Sequence, residues 1–547
     1  MSRWRDVWRW GTGLALVSLG WAQYDEADLL PGIDDRWSRY ESPNFELYCD
    51  DSESEARNIL HDLELLRAVF LGERGEHERK RIPVTVFAFR SGREFDTYAM
   101  RRDGGDKRLA GLYVPGPDRA TILLRPMRDR ESARQVAFHE YVHHMFRAIE
   151  EQPPLWFNEG MAELLAGIKL ERGKLSIGHP VVGRAIALRD EKLLPLETLF
   201  EVGHGSKHYT SSDHTGLFYA QSWALLHYLR YGKHKLEPEA VKRFLTIVGD
   251  RRRLETTNVK SLFEDCFKMN YKRMERDLAR YVRRGSYSYG RVPLPDIPDR
   301  QTYAKTRLSV AEARTRLAEV AFRTSSSAAA LVALLQEGAK PGADARIYEV
   351  LGAESRMLGE SEKALEYWNQ AWELGSRNSA VLRELARQEW DRWFSRASHQ
   401  LRLPDEVTIR MRELLVAAIR AEPGLDEAYE MLAWVEVCAE TPSNSNLNAV
   451  QQHFTAMKKR DRTLLALALF RARLNHKDEA IKLLREINRF EPDDWTLDGA
   501  EVALAQLEGV SRDLISLADD SSVRRQGIQR VTQSTTRFPS IAVPADL

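Results

Sequence analysis

Cysteine is scarce: Cys49, Cys266 and Cys438 are the whole complement of a 547-residue chain. A fold stapled by disulfides is excluded, because at most one bridge can form, and none of the three sits at a metal-ligand spacing. They read as small buried hydrophobes. Net charge is also missing, 81 basic side chains being balanced by 81 acidic ones. Nothing electrostatic therefore calls for nucleic acid as a partner, and no basic stripe with interleaved aromatics is present. No hydrophobic run is long enough for an ordinary bilayer span, which needs about 20 residues. The apolar stretch Trp10 to Leu19 falls short, but it follows Arg3, Arg5 and Arg9 and precedes Gly20-Trp21-Ala22. Residues 1–22 are thus predicted to be a secretory signal cut near Ala22, before Gln23, with an uncleaved anchor as the other reading. No cysteine follows closely, so a lipoprotein route is not indicated. The expected location is periplasmic or secreted, with no membrane span in the mature chain.

What is present is ordinary globular composition, 43% hydrophobic, in a chain long enough for two or more domains. Phe45-Glu46-Leu47-Tyr48 alternates as a strand, and Ser54 to Phe70 follows with amphipathic helical spacing. Ile82 to Phe89, rich in β-branched and aromatic residues, predicts a second strand. Gly111-Leu112-Tyr113-Val114 and Ala120-Thr121-Ile122-Leu123-Leu124, separated by a Pro-Gly-Pro turn, predict a further pair. Beyond Glu163 the chain reads as mainly helical to about Arg284. Gly285 to Gly290 with Pro293, Pro295 and Pro298 then breaks the periodicity, so residues 285–304 are expected to be a linker. Further on, Tyr348, Leu351, Gly352, Ala364, Trp368 and Ala371 occupy tetratricopeptide-repeat offsets, a helix pair of about 34 residues. Met411, Leu415, Ala418 and Pro423, then Tyr429, Leu432 and Ala433, form a weaker copy and the opening of the next. Leu464, Leu467, Ala468, Ala480, Leu484 and Pro492 make a third. The expected organisation is an α+β domain over 33–284, then an all-α repeat-like array over 305–515 that can present a concave surface to a protein partner. A non-repetitive helical domain with chance matches is the alternative. Residues 516–547 lie in a Ser-, Thr- and Arg-rich stretch and are expected to be a flexible tail.

The chemistry concentrates in His139-Glu140-Tyr141-Val142-His143, followed by Asn158-Glu159-Gly160-Met161-Ala162-Glu163. If Ser132 to Arg147 is helical, the two histidines lie one turn apart on one face, able to share one zinc ion. Glu140, beside the first, is placed to act as a general base on water. A second helix opening near Asn158 brings Glu159 in as third ligand and leaves an open, catalytic position. Glu163 lies one turn beyond Glu159 and is either a partner for the other ring nitrogen of a ligand histidine or a plain solvated acid. Asn158 can orient a ligand histidine in the same way. His144 points to another face and reads as a polar neighbour. The metzincin offsets for a glycine and a third histidine hold Phe146 and Ile149 here, which excludes that class.

At these residues the chain resembles the gluzincins. Asn158-Glu159-x-x-Ala162-Glu163 is similar to the second zinc motif of thermolysin, and Trp156 to Ala162 is similar to that of aminopeptidase N. Ser42-Pro43-Asn44-Phe45 and Phe218-Tyr219-Ala220-Gln221-Ser222-Trp223-Ala224-Leu225 resemble segments of the bacterial peptidase MA-like family, the resemblance covering roughly residues 35 to 240. It implies a gluzincin-like peptidase domain that binds Zn²⁺ and hydrolyses peptide or protein substrates. It also implies that Tyr219 bonds the oxyanion of the tetrahedral intermediate and that the edge strand before the zinc helix holds extended substrate. Read without the resemblance, Tyr219 is an aromatic packed in a core and that strand is an edge with no ligand. The gap from His143 to Glu159 is shorter than in aminopeptidase N, and no Gly-x-Met-Glu-Asn segment binds a free amino terminus. Endopeptidase action is therefore expected over exopeptidase action. The rival readings are an exported interaction protein whose peptidase-like domain has become a binding module, and a zinc hydrolase acting on something other than peptides.

Overall fold

The structure, a computed structural model, describes residues 36–74, 82–99, 109–148, 153–171, 173–210, 212–232, 237–249, 257–325, 328–396, 402–457, 460–490, 492 and 494–509. The expected signal segment (1–22) and the expected tail (516–547) lie outside the described residues. Among the described residues no helix is long and apolar enough to cross a membrane.

The alternating stretch becomes strand β2 (Phe45–Cys49), hydrogen-bonded antiparallel to β1 (Ser38–Glu41) with Tyr40 opposite Leu47. The turn between them is fixed by helix α1 (Glu53–Arg74): the Asn44 backbone and side-chain amides donate to the two oxygens of Glu64 at 2.9 and 2.7 Å. β3 (Val84–Ala88) runs parallel to β2, and β5 (Ala120–Leu124) runs parallel to β3. β4 (Gly111–Val114) returns antiparallel to β5 and forms one edge. β3 and β5 are buried along their whole length, as expected of parallel strands covered on both faces. On one face Leu47, Val86 and Ile122 join the main core with Phe138, Val142 and Phe146 of helix α3 (Arg130–Ala148) and with helix α4 (Leu155–Ala166).

The chain beyond α4 is not wholly helical. A hairpin, β6 (Lys169–Glu171) and β7 (Lys174–Ile177), comes first and turns at Gly173, whose φ of 72° suits glycine. Helices α5 (Val182–Asp190), α6 (Ser212–Tyr231) and α7 (Tyr271–Arg284) follow, with further helices between them.

The segment expected as a linker is built into both sheets. Gly290–Pro293 (β8) pairs with β7, and Ala304–Arg307 (β9) pairs with β1, closing the six-strand order β4-β5-β3-β2-β1-β9. Between them Arg57 of α1 donates to the carbonyls of Arg300, Gln301 and Tyr303 at 2.8, 3.3 and 2.8 Å. Proline and glycine do break helical periodicity there, but edge strands tolerate proline and short strands carry little periodic signal.

The expected boundary at 304/305 is also displaced. Helices α8 (Val310–Ser325), α9 (Ala328–Gly338) and α10 (Ala345–Met357) cover the second face of the sheet. Leu317, Val320, Ala321, Leu334, Ile347 and Val350 share one core with Trp37, Tyr48, Phe87, Phe89 and Leu123. The helices that open the C-terminal region are therefore the back layer of the N-terminal sheet. α10 pairs with α11 (Ser361–Glu373), where Trp368 Nε1 donates to the Glu349 carbonyl at 3.2 Å. The series continues with α12 (Ser379–Arg396) on α13 (Asp405–Ala421), then α14 (Asp426–Cys438), and α15 (Asp461–Arg473) on α16 (Lys477–Glu486). The small and apolar residues at repeat offsets, among them Ala364, Trp368, Met411, Ala418, Leu432, Ala433, Leu464 and Ala480, are buried between these helices. All three cysteines are free and buried.

Candidate metal centre

α3 carries His139 and His143 one turn apart, their rings 5.0 Å centre to centre. α4 opens at Leu155, three residues before the expected start, because Pro154 supplies the extended entry a helix interior would not accept. Asn158 and Glu159 consequently sit in the first turns of α4, facing α3. Gly160 sets how near α6 comes: a Cβ there would lie 2.7 Å from the Ser222 carbonyl oxygen. That contact brings Tyr219, three residues before Ser222, to the same place, its ring 5.9 Å from that of His139. Gln221 locks α6 from the other side by exchanging two 2.7 Å hydrogen bonds with the Leu194 backbone.

The donor atoms converge. Nε2 of His139 and Nε2 of His143 lie 3.3 and 3.6 Å from Glu159 Oε2, and the ligating atoms of all three residues fall within 4.8 Å of one another. The outer ring nitrogens are turned away from that point. His143 Nδ1 is 2.7 Å from Asn158 Oδ1; the amide oxygen only accepts, so Nδ1 is the donor and the Nε2 lone pair faces inward. His139 Nδ1 faces Glu163 Oε1 at 3.5 Å. Glu159 Oε2 is buried and faces the two imidazole Nε2 atoms, an expensive place for a carboxylate oxygen unless a cation, whether a metal ion or an imidazolium, takes its charge. Two imidazole nitrogens, one carboxylate oxygen and histidines oriented by an acid and an amide suit a divalent cation of the zinc type.

Electrostatics agree with the geometry. Burial alone would depress the His139 imidazolium, yet Glu159, Glu163 and Glu140 outweigh it and push the group up to about 9. Glu159 is buried, which favours its neutral form, but the two histidines hold it below the usual carboxylate range. The centre attracts positive charge, and in the bare protein a proton supplies it. His144 behaves in the opposite way. Burial, then Arg147 and Arg67, lower it to about 3, and it stacks on Tyr141 with Nδ1 3.4 Å from the Tyr113 hydroxyl. It is a neutral neighbour.

Glu140 lies on the sheet side of the centre: a Cβ at Gly111 would come 3.0 Å from Glu140 Cγ. Its charge is felt by both His139 and Tyr219. Strand β4 thus runs past Glu140, and among the described residues no strand pairs with its outer edge. Tyr219 is held strongly protonated by burial first and then by Glu159. Two further residues belong to the site and carry no signal in the sequence. Tyr209 donates to Glu159 Oε1 at 3.3 Å, and Arg184 of α5 donates to Glu163. Neither has a fixed spacing from the histidines, and only the packing of α5 and α6 brings them in. Compared with known proteins, the chain matches no family model and no curated protein.

Proposed function

We propose that the chain is a zinc-dependent peptidase of the gluzincin type, exported and acting within chains rather than from their ends. The observation that carries this reading is the buried Glu159 Oε2 facing the two inward histidine nitrogens at 3.3 and 3.6 Å. His139, His143 and Glu159 would hold the ion, and bound Zn²⁺ would lower the pKa of a water toward about 7 and polarise a substrate carbonyl. Glu140 takes the proton of the attacking water on its carboxylate and returns it to the departing amine nitrogen. Tyr219, a neutral phenol beside His139, donates to the oxygen on which negative charge develops. Asn158 and Glu163 keep the histidine lone pairs aimed inward, and Tyr209 fixes Glu159. The outer edge of β4, unpaired among the described residues, offers backbone N–H and C=O groups to an extended peptide alongside Glu140. The helix pairs beyond α10 are assigned, by analogy of architecture, to binding a substrate or partner protein.

The test is metal analysis of the purified full-length chain, with hydrolysis of an unfolded protein substrate followed with and without chelator. About one zinc per chain and chelator-sensitive cleavage are expected; no zinc binding defeats the proposal. Loading should also release a proton. His139 is raised from 6.5 to about 9, so in bare protein it is charged below that range and must discharge to bind metal. Zinc affinity should therefore climb about tenfold per pH unit between roughly pH 6.5 and 8.5 and flatten above about 9. Tyr219→Phe is expected to lower kcat about 10- to 100-fold with KM little changed. An unaltered kcat returns Tyr219 to a packing role.

A further inference from the structure

Arg184 lies outside every motif of the sequence, on the short helix α5, yet its guanidinium joins three parts of the site. Nε and Nη2 both donate to one oxygen, Glu163 Oε1, at 3.0 and 2.8 Å. The same oxygen faces His139 Nδ1 at 3.5 Å. The guanidinium carbon lies over the Tyr219 ring, 5.2 Å from its centroid. Glu163 is 4% exposed and Arg184 31%, so the pair joins a buried carboxylate to a half-buried guanidinium rather than decorating a surface. A carboxylate so buried is costly without a cationic partner.

We infer that Arg184 is a positioning residue of the metal centre, holding the Glu163 carboxylate on His139 and the Tyr219 ring beside it at once. The inference rests on the zinc reading given above. Without the guanidinium, the Glu163 carboxylate loses the two donors that hold Oε1 against His139 and is free to swing towards water. His139 Nδ1 then has no fixed acceptor, and the Tyr219 ring is free to turn. A lysine supplies the charge but neither two converging donors nor a flat cation to lie on an aromatic ring. The two duties of Arg184 can therefore be separated.

The experiment measures zinc affinity of the full-length chain by competition with a chelator, and kcat and KM on an unfolded protein substrate. The variants are Arg184→Ala, Arg184→Lys, Glu163→Gln and the pair Arg184→Ala with Glu163→Gln. Arg184→Ala is expected to weaken zinc about tenfold, at the low end for groups that orient ligands. In the Glu163→Gln background the same change should cost less than about twofold, since the carboxylate through which it acts is gone. Arg184→Lys, which keeps the charge, should hold zinc within about threefold of wild type while kcat stays about tenfold down and KM is unmoved. Zinc affinity unchanged in Arg184→Ala overturns the inference, and so does an equal loss in both backgrounds. Failure of the wild-type chain to bind zinc is a different result, and it overturns the zinc reading itself.

Discussion

Glu140→Gln is expected to keep about one zinc per chain and to lose hydrolysis by about 10²- to 10⁴-fold. The two halves of that result have separate causes. Metal retention follows because Glu140 is not among the three residues whose donor atoms converge. Glutamine is nearly isosteric, so the helix face packed against Gly111 should not move. Loss of turnover follows because an amide has no basic oxygen for the proton of the attacking water and none to deliver to the leaving amine. A loss of about 10³ corresponds to about 4 kcal/mol of barrier. Measuring bound zinc and kcat on the same preparation decides the matter. Undiminished cleavage removes the base role, whereas loss of the metal would place Glu140 among the ligands.

The centre was more legible in the sequence than its surroundings, for a physical reason. Ligands on one helix must repeat at its pitch, so His139 and His143 announce themselves four residues apart. Asn158 and Glu159 announce themselves as neighbours at the head of the next helix, and Glu163 lies one turn further. Arg184 and Tyr209 meet the site through tertiary packing, and nothing local fixes the distance in sequence from Glu163 to Arg184. The strands were legible where an apolar run was buried along its whole length, as in Val84–Ala88 and Ala120–Leu124, while the short alternating strand Ser38–Glu41 was not read. Lys169–Glu171, Lys174–Ile177 and Gly290–Pro293 were not, being three or four residues long and partly exposed. The displaced boundary at 304/305 has another origin. Helices α8 to α10 carry the amphipathic pattern of any helix pair, and that pattern does not say whether the buried face meets another helix or a sheet.

That shared layer yields the second large effect. Arg346 of α10 joins α8 to the sheet: Nε and Nη2 lie 2.7 and 3.2 Å from the oxygens of Glu319 on α8, Nη2 donates to Thr85 of β3 at 3.1 Å and Nη1 pairs with Glu46 of β2. Beside it Arg119 bonds Glu349 at 2.6 Å and Arg323 bonds Asp118 at 2.5 Å. Ser376 and Asn378 satisfy Glu349 from beyond α11, at 2.6 and 3.0 Å. Arg346→Met takes the nearest cation from Glu46 and Glu319 and leaves them to Arg119, Arg316 and Arg323 at 3.5–4.0 Å, so the buried network is one positive charge short. A cost of about 2–4 kcal/mol in denaturant unfolding is expected, because taking one partner from a buried charge network is penalised far more than the intact network is rewarded, while the arginines that remain limit the loss. Replacing Glu319 by leucine in the same chain should recover part of that loss, by removing one of the under-compensated charges. Acid should act on the intact network in the same sense. Burial favours the neutral carboxyl, but the surrounding arginines hold Glu319 down to about 2 and Glu46 well below its usual range. Their contribution is complete above the unfolded value near 4.5 and fades as pH falls towards the folded ones. A cost below about 1 kcal/mol for Arg346→Met would mean that water enters between α10 and the sheet. The apolar core shared by α8 to α10 and the strands would then hold that layer without help from the buried charges.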